Sequence, residues 1–529
     1  MTEDAPATSL REQTLSGVKW MSLTRLVAES VAFISSIVLA RLVAPDEFGR
    51  TAVAAFVSTL ALSAAHQGVG SFLVSHKTPT WRHFRAASLA SLTAGAVGTA
   101  LTLAFAATVA PAIFGGRTAY FVALSSPVWL LAGLTAVPIA KLQRELSFGR
   151  LGVIEASASV VGPAVAIALA VYGLEGDALI FGVLAGSGVT ATLAWTFSRP
   201  ARLGWQPAEM GEIVRYGSPV LGSSILFAAW RNVDYLLLAA FIPAFQVGLY
   251  MRAFMLGSDY QGKVSQILLT VAFPVFSRAQ HLEELRRVRA RMIRVQTTVL
   301  FPLLFGLIAI APHFVPWMYG ERWAGAGSLT QILAVGGMVA AMGSGTAPLL
   351  MATGHTRALF VYSLIAFVAY TIAVLVSIPF GVTAVCVAVV AVRLITFVAL
   401  QRVIVERRVG IPILETVRDD VIPAVAGGIP LLVVTMVGLR LCLDAGIPVF
   451  AAMALPGVVG LAVYAAILRR FFPTTWMDVR MLTSRLALPI APRAVVGRVA
   501  AIRGGGKRAD EPGGADQAAA EQRPPKRLP

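Results

Sequence analysis

The sequence predicts an all-α integral membrane protein of about fourteen transmembrane helices, arranged as two pseudo-symmetric six-helix lobes followed by a C-terminal helix pair. Three observations predict it. The 529 residues are 57% hydrophobic and only 13% charged, whereas charged residues make up about 25% of a typical water-facing chain. The apolar residues gather into runs of roughly twenty, the length a helix needs to cross a bilayer. Arg and Lys fall in the short breaks between runs and are concentrated on alternate breaks, the pattern that fixes membrane orientation. The net charge of +17 therefore reads as topology, and no nucleic-acid partner is expected.

Residues 1–16 are polar and form a short N-terminal segment. The apolar run after Gly17 is longer than a signal-peptide core, so it is expected to remain as an anchor. The N-lobe, 17–197, holds six runs: Gly17 to Ala40, Phe48 to Val74, Ala86 to Phe114, Tyr120 to Ala140, Leu151 to Tyr172 and Ala178 to Phe197. A polar inter-lobe linker is expected over 198–212. The C-lobe, 213–405, repeats the count with Ile213 to Ile242, Val247 to Phe276, Met292 to Met318, Ser328 to Met351, Ala358 to Ile378 and Gly381 to Val405. Two further runs, Val421 to Leu441 and Val449 to Leu468, occupy 421–468. From Pro473 the apolar runs stop, and the Gly- and Pro-rich, basic end predicts a disordered tail over 473–529. Its Arg493, Arg498, Arg503, Lys507 and Arg508 either rest on anionic membrane lipids or are simply solvated.

Orientation follows from the charged breaks. One side collects Lys77, Arg82 and Arg85, then Lys141, Arg144 and Arg150, then Arg199 and Arg202, then Arg278, Arg286, Arg287, Arg289 and Arg291, and finally Arg402, Arg407, Arg408 and Arg418. The other holds little beyond Arg41, Arg50, Arg117, Arg322 and Arg440. Both termini are thus expected in the cytoplasm, which requires an even number of crossings.

The halves carry an internal repeat. Ala40 to Gly49 (ARLVAPDEFG) recurs loosely as Ala239 to Gly248 (AAFIPAFQVG), each joining the first and second helix of its half. Val109 to Gly116 (VAPAIFGG) is matched by Ile310 to Gly320 (IAPHFVPWMYG), each closing a third helix. An even number of crossings separates the copies, so the halves run parallel and a cavity is expected between them.

No catalytic apparatus is visible. There is no P-loop, no metal-ligand spacing and no long extramembrane loop, so neither enzyme activity nor a cofactor is expected. Cys386 and Cys442 cannot supply a disulfide framework or a zinc cluster and read as packing residues.

The informative residues are charges inside apolar runs, each of which costs at least about 2.5 kcal/mol at the bilayer centre. Arg25 and Glu29 lie one turn apart, as do Asp259 and Lys263; Arg231 and Asp234 are spaced i, i+3; Arg393 has no opposite charge within a turn. If they face the cavity, Arg25, Arg231 and Arg393 suit a phosphate, since guanidinium offers a planar fork of donors, and Lys263 adds a point charge. Glu29, Asp234 and Asp259 are candidates for coupling or charge balance. The alternative is that each pair is a self-neutralised bridge that makes insertion tolerable. Arg252 reads as a snorkelling structural residue. His66, Gln67 and Glu155 read as packing or pairing groups rather than proton carriers.

In this order and at these spacings, several segments resemble the polysaccharide biosynthesis (Wzx-like) flippases of the multidrug/oligosaccharidyl-lipid/polysaccharide exporter superfamily. They are Gly17 to Trp20 with Ala40 to Gly49, Pro138 to Phe148 (PIAKLQRELSF), Arg231 to Leu238 (RNVDYLLL) with Gly248 to Ala253 (GLYMRA), Phe273 to Arg278 (FPVFSR) and Tyr319 to Trp323 (YGERW). The resemblance runs roughly from Thr14 to Arg470. It implies two six-helix bundles around a V-shaped cavity, a peripheral helix pair, and movement of an undecaprenyl-pyrophosphate-linked oligosaccharide across the bacterial cytoplasmic membrane. Exopolysaccharide, capsule or O-unit synthesis is the implied setting. Cavity arginines would hold the carrier pyrophosphate, which fits Arg25, Arg231 and Arg393 by position. Implied partners are the lipid-linked oligosaccharide, membrane lipids, and a polysaccharide polymerase and glycosyltransferases. A cation-coupled drug exporter of the same fold and a non-transporting scaffold for polysaccharide synthesis are the competing readings.

Overall fold

The computed structural model describes residues 24, 27–198, 204–259, 261–262, 265 and 282–486. The regular structure among these residues is helical. Helix α1 covers 27–42, followed by α2 (Pro45–Ser75), α3 (Trp81–Thr108), α4 (Gly116–Arg144), α5 (Phe148–Val171) and α6 (Glu175–Ser198). The second half comprises α7 (Pro207–Phe241), α8 (Ala244–Phe254, continued by a π turn over Met255–Asp259), α9 (Leu282–Tyr319), α10 (Gly325–Ala352), α11 (Thr356–Phe380) and α12 (Val382–Val409). Then come α13 (Ile413–Asp444), α14 (Val449–Phe471) and α15 (Pro473–Leu486). Twelve helices among the described residues are long and apolar enough to cross a membrane. The predicted first and eighth crossings fall partly on residues outside that set.

Helix starts and stops follow local chemistry. Helix α2 opens on Pro45, with Asp46 and Glu47 in its first turn, where acidic side chains oppose the positive helix end. Helix α4 ends with Lys141 and Arg144 in its last turn, the complementary case. Arg144 also donates to the carbonyls of Leu73 and His76, both at 2.7 Å, which locks the α2–α3 turn onto α4. Small residues let helices approach: a Cβ on Gly162 would meet the Gly182 carbonyl, so α5 and α6 pack backbone to backbone.

The two halves repeat their turns. Gly115 before α4 has φ/ψ of 82/162°, and Gly320, in the corresponding position at the end of α9, has 101/160°. Gly173 and Gly381, before α6 and α12, have φ of 87° and 88°. The α4–α5 turn places Leu146 at φ 51° where the α10–α11 turn uses Gly354 at φ 75°. The repeat is therefore one of backbone conformation, carried mostly by glycine because its missing Cβ removes the steric penalty at positive φ.

Two boundaries differ from expectation. The linker expected over 198–212 is shorter, because α7 begins at Pro207, a proline-led first turn after extended Gln206. Polar Glu209 and Glu212 interrupt the hydropathy signal there without interrupting the helix. The segment from Pro473, expected to be disordered throughout, begins with α15, whose Trp476 packs beside Leu431, Tyr464 and Leu468. A fourteen-residue amphipathic helix is too short and too polar to register as a membrane crossing. Residues 487–529 lie outside the described set. The chain divides into two units, Met1–Trp476 and Met477–Pro529.

The peripheral pair α13–α14 attaches through α9. Arg289, 1% exposed, donates to Thr416 Oγ1 at 3.0 Å and to Gln401 Oε1 at 2.9 Å, and Arg294 lies 3.7 Å from Asp420. Tyr464 of α14 donates to the Thr298 carbonyl at 2.9 Å.

Candidate functional site

Within the C-lobe, α7, α8, α10, α11 and α12 enclose a cavity of about 710 Å³. Its charged lining comes from three helices: Arg231 on α7, Asp259 on α8 and Arg393 on α12. The π turn that ends the described part of α8 aims Ser258 and Asp259 at this space; such one-residue insertions are a recurrent way of redirecting functional side chains. Gly257 lets the turn lie directly against α10, since a Cβ there would strike the backbone of Leu333 and Ala334.

Arg393 Nη1 donates to Ser258 Oγ at 3.1 Å, and its guanidinium stands 5.1 Å from the Phe254 ring centroid. Ser258 Oγ passes its own hydrogen to the Leu333 carbonyl at 3.3 Å. Arg393 thus meets a neutral oxygen and an aromatic face, and forms no ion pair among the described residues. Arg231 Nη2 is 3.9 Å from Asp259 Oδ1, with 59% of the Arg231 side chain exposed.

Asp234 lies one layer behind the cavity wall and is 1% exposed. It accepts from Tyr250 Oη at 2.7 Å, Tyr370 Oη at 3.0 Å and the Tyr235 backbone N–H at 3.0 Å. The self-neutralised i, i+3 bridge that was the alternative for Arg231 and Asp234 is not formed. Two tyrosine hydroxyls hold Asp234 toward the bundle core while Arg231 reaches across to α8, so the ion pair runs between helices. Glu29 is exposed on α1 beside Ser30, Phe33 and Ile34, away from this cavity. The expectations for Arg25 and Lys263 lie outside the described residues, as do the side chains of His66 and Gln67.

The N-lobe contrasts with this. Its cavity of about 550 Å³ is lined by Thr51, Ser58, Gly162, Pro163 and other small or apolar residues, with no charged side chain among the described residues.

The end of the bundle predicted to face outward is closed across the lobes. The first turns of α2 and α8 cross so closely that a Cβ on Gly49 would overlap the Ala244 carbonyl, and one on Gly248 would overlap the carbonyl of Pro45. Arg41 donates to the carbonyls of Met318 at 3.0 Å and Trp317 at 2.7 Å, and Trp323 Nε1 donates to the Ala40 carbonyl at 2.7 Å. Arg252 is 7% exposed and sits in an aromatic cage, 4.2 Å from the Phe48 ring centroid, 5.4 Å from Tyr319 and 5.6 Å from Trp323. The expected snorkelling of Arg252 is therefore corrected: its guanidinium lies against ring faces inside the bundle and does not reach out to the interface.

Residues 38–328 match the family described as polysaccharide biosynthesis protein. The chain belongs to that family. It is 26% identical over 370 residues to the lipopolysaccharide biosynthesis protein WzxC of Escherichia coli, covering 67% of this chain and 73% of WzxC. It is 25% identical over 360 residues to the succinoglycan biosynthesis transport protein ExoT of Rhizobium meliloti, covering 68% and 73%. In fold it resembles the lipid II flippase MurJ in an inward closed conformation, with TM-score 0.68, 12% identity, and coverage of 86% of this chain and 99% of MurJ. An inward-facing multidrug transporter of the MATE family shares the architecture at TM-score 0.56 and 14% identity, covering 70% and 95%.

Three of the family segments are structural neighbours, while Phe273 to Arg278 lies outside the described residues. Pro45, Phe48 and Gly49 from the first, Gly248 and Arg252 from GLYMRA, and Tyr319 and Trp323 from YGERW converge on the outer closure. Ser258, Tyr250 and Tyr370 were not singled out from sequence. Hydroxyls inside apolar helices are too common to mark a site; only the tertiary arrangement reveals that Ser258 meets Arg393 and that the two tyrosines meet Asp234.

Proposed function

We propose that this protein flips a lipid-linked oligosaccharide pyrophosphate across the bacterial cytoplasmic membrane by alternating access, with both termini in the cytoplasm, to supply surface polysaccharide synthesis. The single observation that carries this reading is Arg393: a permanently charged guanidinium in a membrane-embedded cavity whose partners are a serine hydroxyl and a phenyl ring. Such a group is costly in the bilayer; Asp259 shares the cavity but lies beside Arg231, and Asp234 is held by two tyrosines, so a substrate anion is the partner that would meet Arg393 directly. A pyrophosphate fits the planar donor fork, whereas a cationic drug would be repelled.

Arg231 supplies the second cation. Its 3.9 Å contact with Asp259 is half-exposed, and such pairs contribute only about 0 to 1 kcal/mol. An incoming phosphate can therefore take the guanidinium over at little cost. Asp259 and buried Asp234 remain to balance charge once the substrate leaves. With the outer end closed by the α2–α8 crossing, the substrate enters from the cytoplasmic side. Opening of that crossing releases it outward. The similarity to WzxC, a lipopolysaccharide biosynthesis protein, and to ExoT, a succinoglycan biosynthesis transport protein, supports the setting.

The test uses purified full-length protein in liposomes loaded with a fluorescent undecaprenyl-pyrophosphate-linked glycan. Protein-dependent loss of inner-leaflet label supports the reading, and export of cationic dyes without glycan movement replaces it with the drug-exporter alternative.

A further inference from the structure

At the end of the bundle opposite the closure, α7 enters against the α2–α3 turn. Three side chains from distant parts of the sequence meet there: His76 in the turn, His83 in the first turn of α3 and Glu212 near the start of α7. His83 Nε2 is 3.4 Å from Glu212 Oε2, and His76 Nε2 is 3.9 Å from the same oxygen. One ligand atom from each residue lies within 4.8 Å of the others. The imidazole rings face each other with centroids 4.7 Å apart, and Phe72 supports both at 5.4 and 6.2 Å.

These separations are long for hydrogen bonds, which lie near 2.7–3.2 Å. They approach the edge of a tetrahedron around a zinc-type ion, about 3.3 Å when ligand bonds are about 2.0 to 2.1 Å. The Thr80 N–H donates to His83 Nδ1 at 3.1 Å as part of the α3 capping box, and Thr80 Oγ1 lies 2.8 Å from the same nitrogen, which fixes the ring with Nε2 turned toward Glu212. Coordination through Nε2 requires the ring proton to move to Nδ1, where Thr80 Oγ1 replaces the Thr80 N–H as its partner and accepts it, the usual arrangement behind a metal-bound histidine. His76 Nδ1 has no hydrogen-bond partner among the described residues, so no protein group holds that ring in one tautomer. The nearby Arg144 charge is spent on backbone carbonyls, including that of His76.

We propose that His76, His83 and Glu212 form a binding site for a divalent transition-metal ion of the zinc class, which pins the start of α7 to the α2–α3 turn. Glu212 is 49% exposed, so an ion can reach the site and water can complete its coordination. The ion joins surfaces already in contact: Ser75 Oγ is 3.1 Å from Tyr216 Oη, and Ile213 packs with Phe72 and Leu73. Since α7 leads directly into the C-lobe, the bound ion stabilises the conformation in which α7 lies on the N-lobe. Any state that lifts α7 away must release it, because binding and conformation are linked. No sequence spacing announced the site, because Glu212 comes from the other half of the chain.

The test titrates Zn²⁺ by calorimetry, and Co²⁺ by visible absorption, into the untagged full-length protein in detergent. One saturable equivalent is expected, with nitrogen and oxygen ligation in the Co²⁺ spectrum and a Zn²⁺-dependent rise in Tm. Glu212→Gln and His76→Gln should each weaken binding by about 100-fold and abolish the Tm response, while their metal-free Tm stays at the wild-type value. No saturable binding to the wild type, or binding that survives in both variants, overturns the proposal. Because the readout is metal binding, its outcome is independent of whether glycan flipping is observed.

Discussion

Gly49 and Gly248 occupy equivalent positions in the two halves, and each lies against the backbone at the start of the other's helix: Gly49 on the Ala244 carbonyl, Gly248 on that of Pro45. The reciprocity makes the α2–α8 crossing a pseudo-symmetric latch. Backbone-to-backbone contact of this kind tolerates no side chain, and packed interfaces respond to overfilling by shifting rather than deforming smoothly.

We predict that Gly49→Ala, Gly248→Ala and the double substitution prise the outer end open. Overpacking typically costs about 1 to 3 kcal/mol, enough to move a closed population substantially toward an open one. Val43, 1% exposed behind the latch, offers a reporter: Val43→Cys should react with a membrane-impermeant maleimide only when a latch glycine is replaced. Equal protection in all variants would show that this crossing does not gate the outer end.

The cage around Arg252 yields a second expectation. Arg252 touches Phe48 of the opposite lobe at 4.2 Å to the ring centroid, and a desolvated cation–π contact contributes about 2 kcal/mol. A double-mutant cycle with Arg252→Met and Phe48→Leu, read by the same maleimide reporter, should give a coupling near that value. Independent, additive effects would mean that the cage is packing alone.

Leu146 presents a different case. It holds φ 51° on the surface, where the matching turn of the second half uses Gly354. A left-handed L-residue costs roughly 1 to 2 kcal/mol, so Leu146→Gly should raise the Tm in detergent despite the extra freedom of the unfolded chain. Gly354→Leu should lower it. A fall in Tm with Leu146→Gly would show that the exposed leucine contributes more by packing than its backbone strain removes.

Much of the fold was legible because the bilayer requires long apolar helices, a rule that shows directly in the run lengths of the sequence. The repeat was legible for a similar reason: its glycines answer to backbone geometry. What could not be read was partner choice. Spacing along α7 pointed to an Arg231–Asp234 pair, yet Asp234 is claimed by Tyr250 and Tyr370, which lie on α8 and α11. Arg252 looked like an interfacial residue because it is near a helix end; the three rings that bury it come from α2, the end of α9 and the turn that follows. Helix α15 escaped because an amphipathic helix carries no continuous apolar run.

The most direct test of the central claim is the flipping rate of a fluorescent undecaprenyl-pyrophosphate-linked glycan in liposomes containing wild-type protein, Arg393→Ala or Arg393→Lys. Loss of a charge-assisted contact worth about 1.5 to 3 kcal/mol predicts a rate at least tenfold lower for Arg393→Ala, with partial recovery in Arg393→Lys, at unchanged Tm and reconstitution yield. A wild-type rate in Arg393→Ala would contradict the account, because the one cavity cation lacking an ion pair among the described residues would then have no part in carrying the anion.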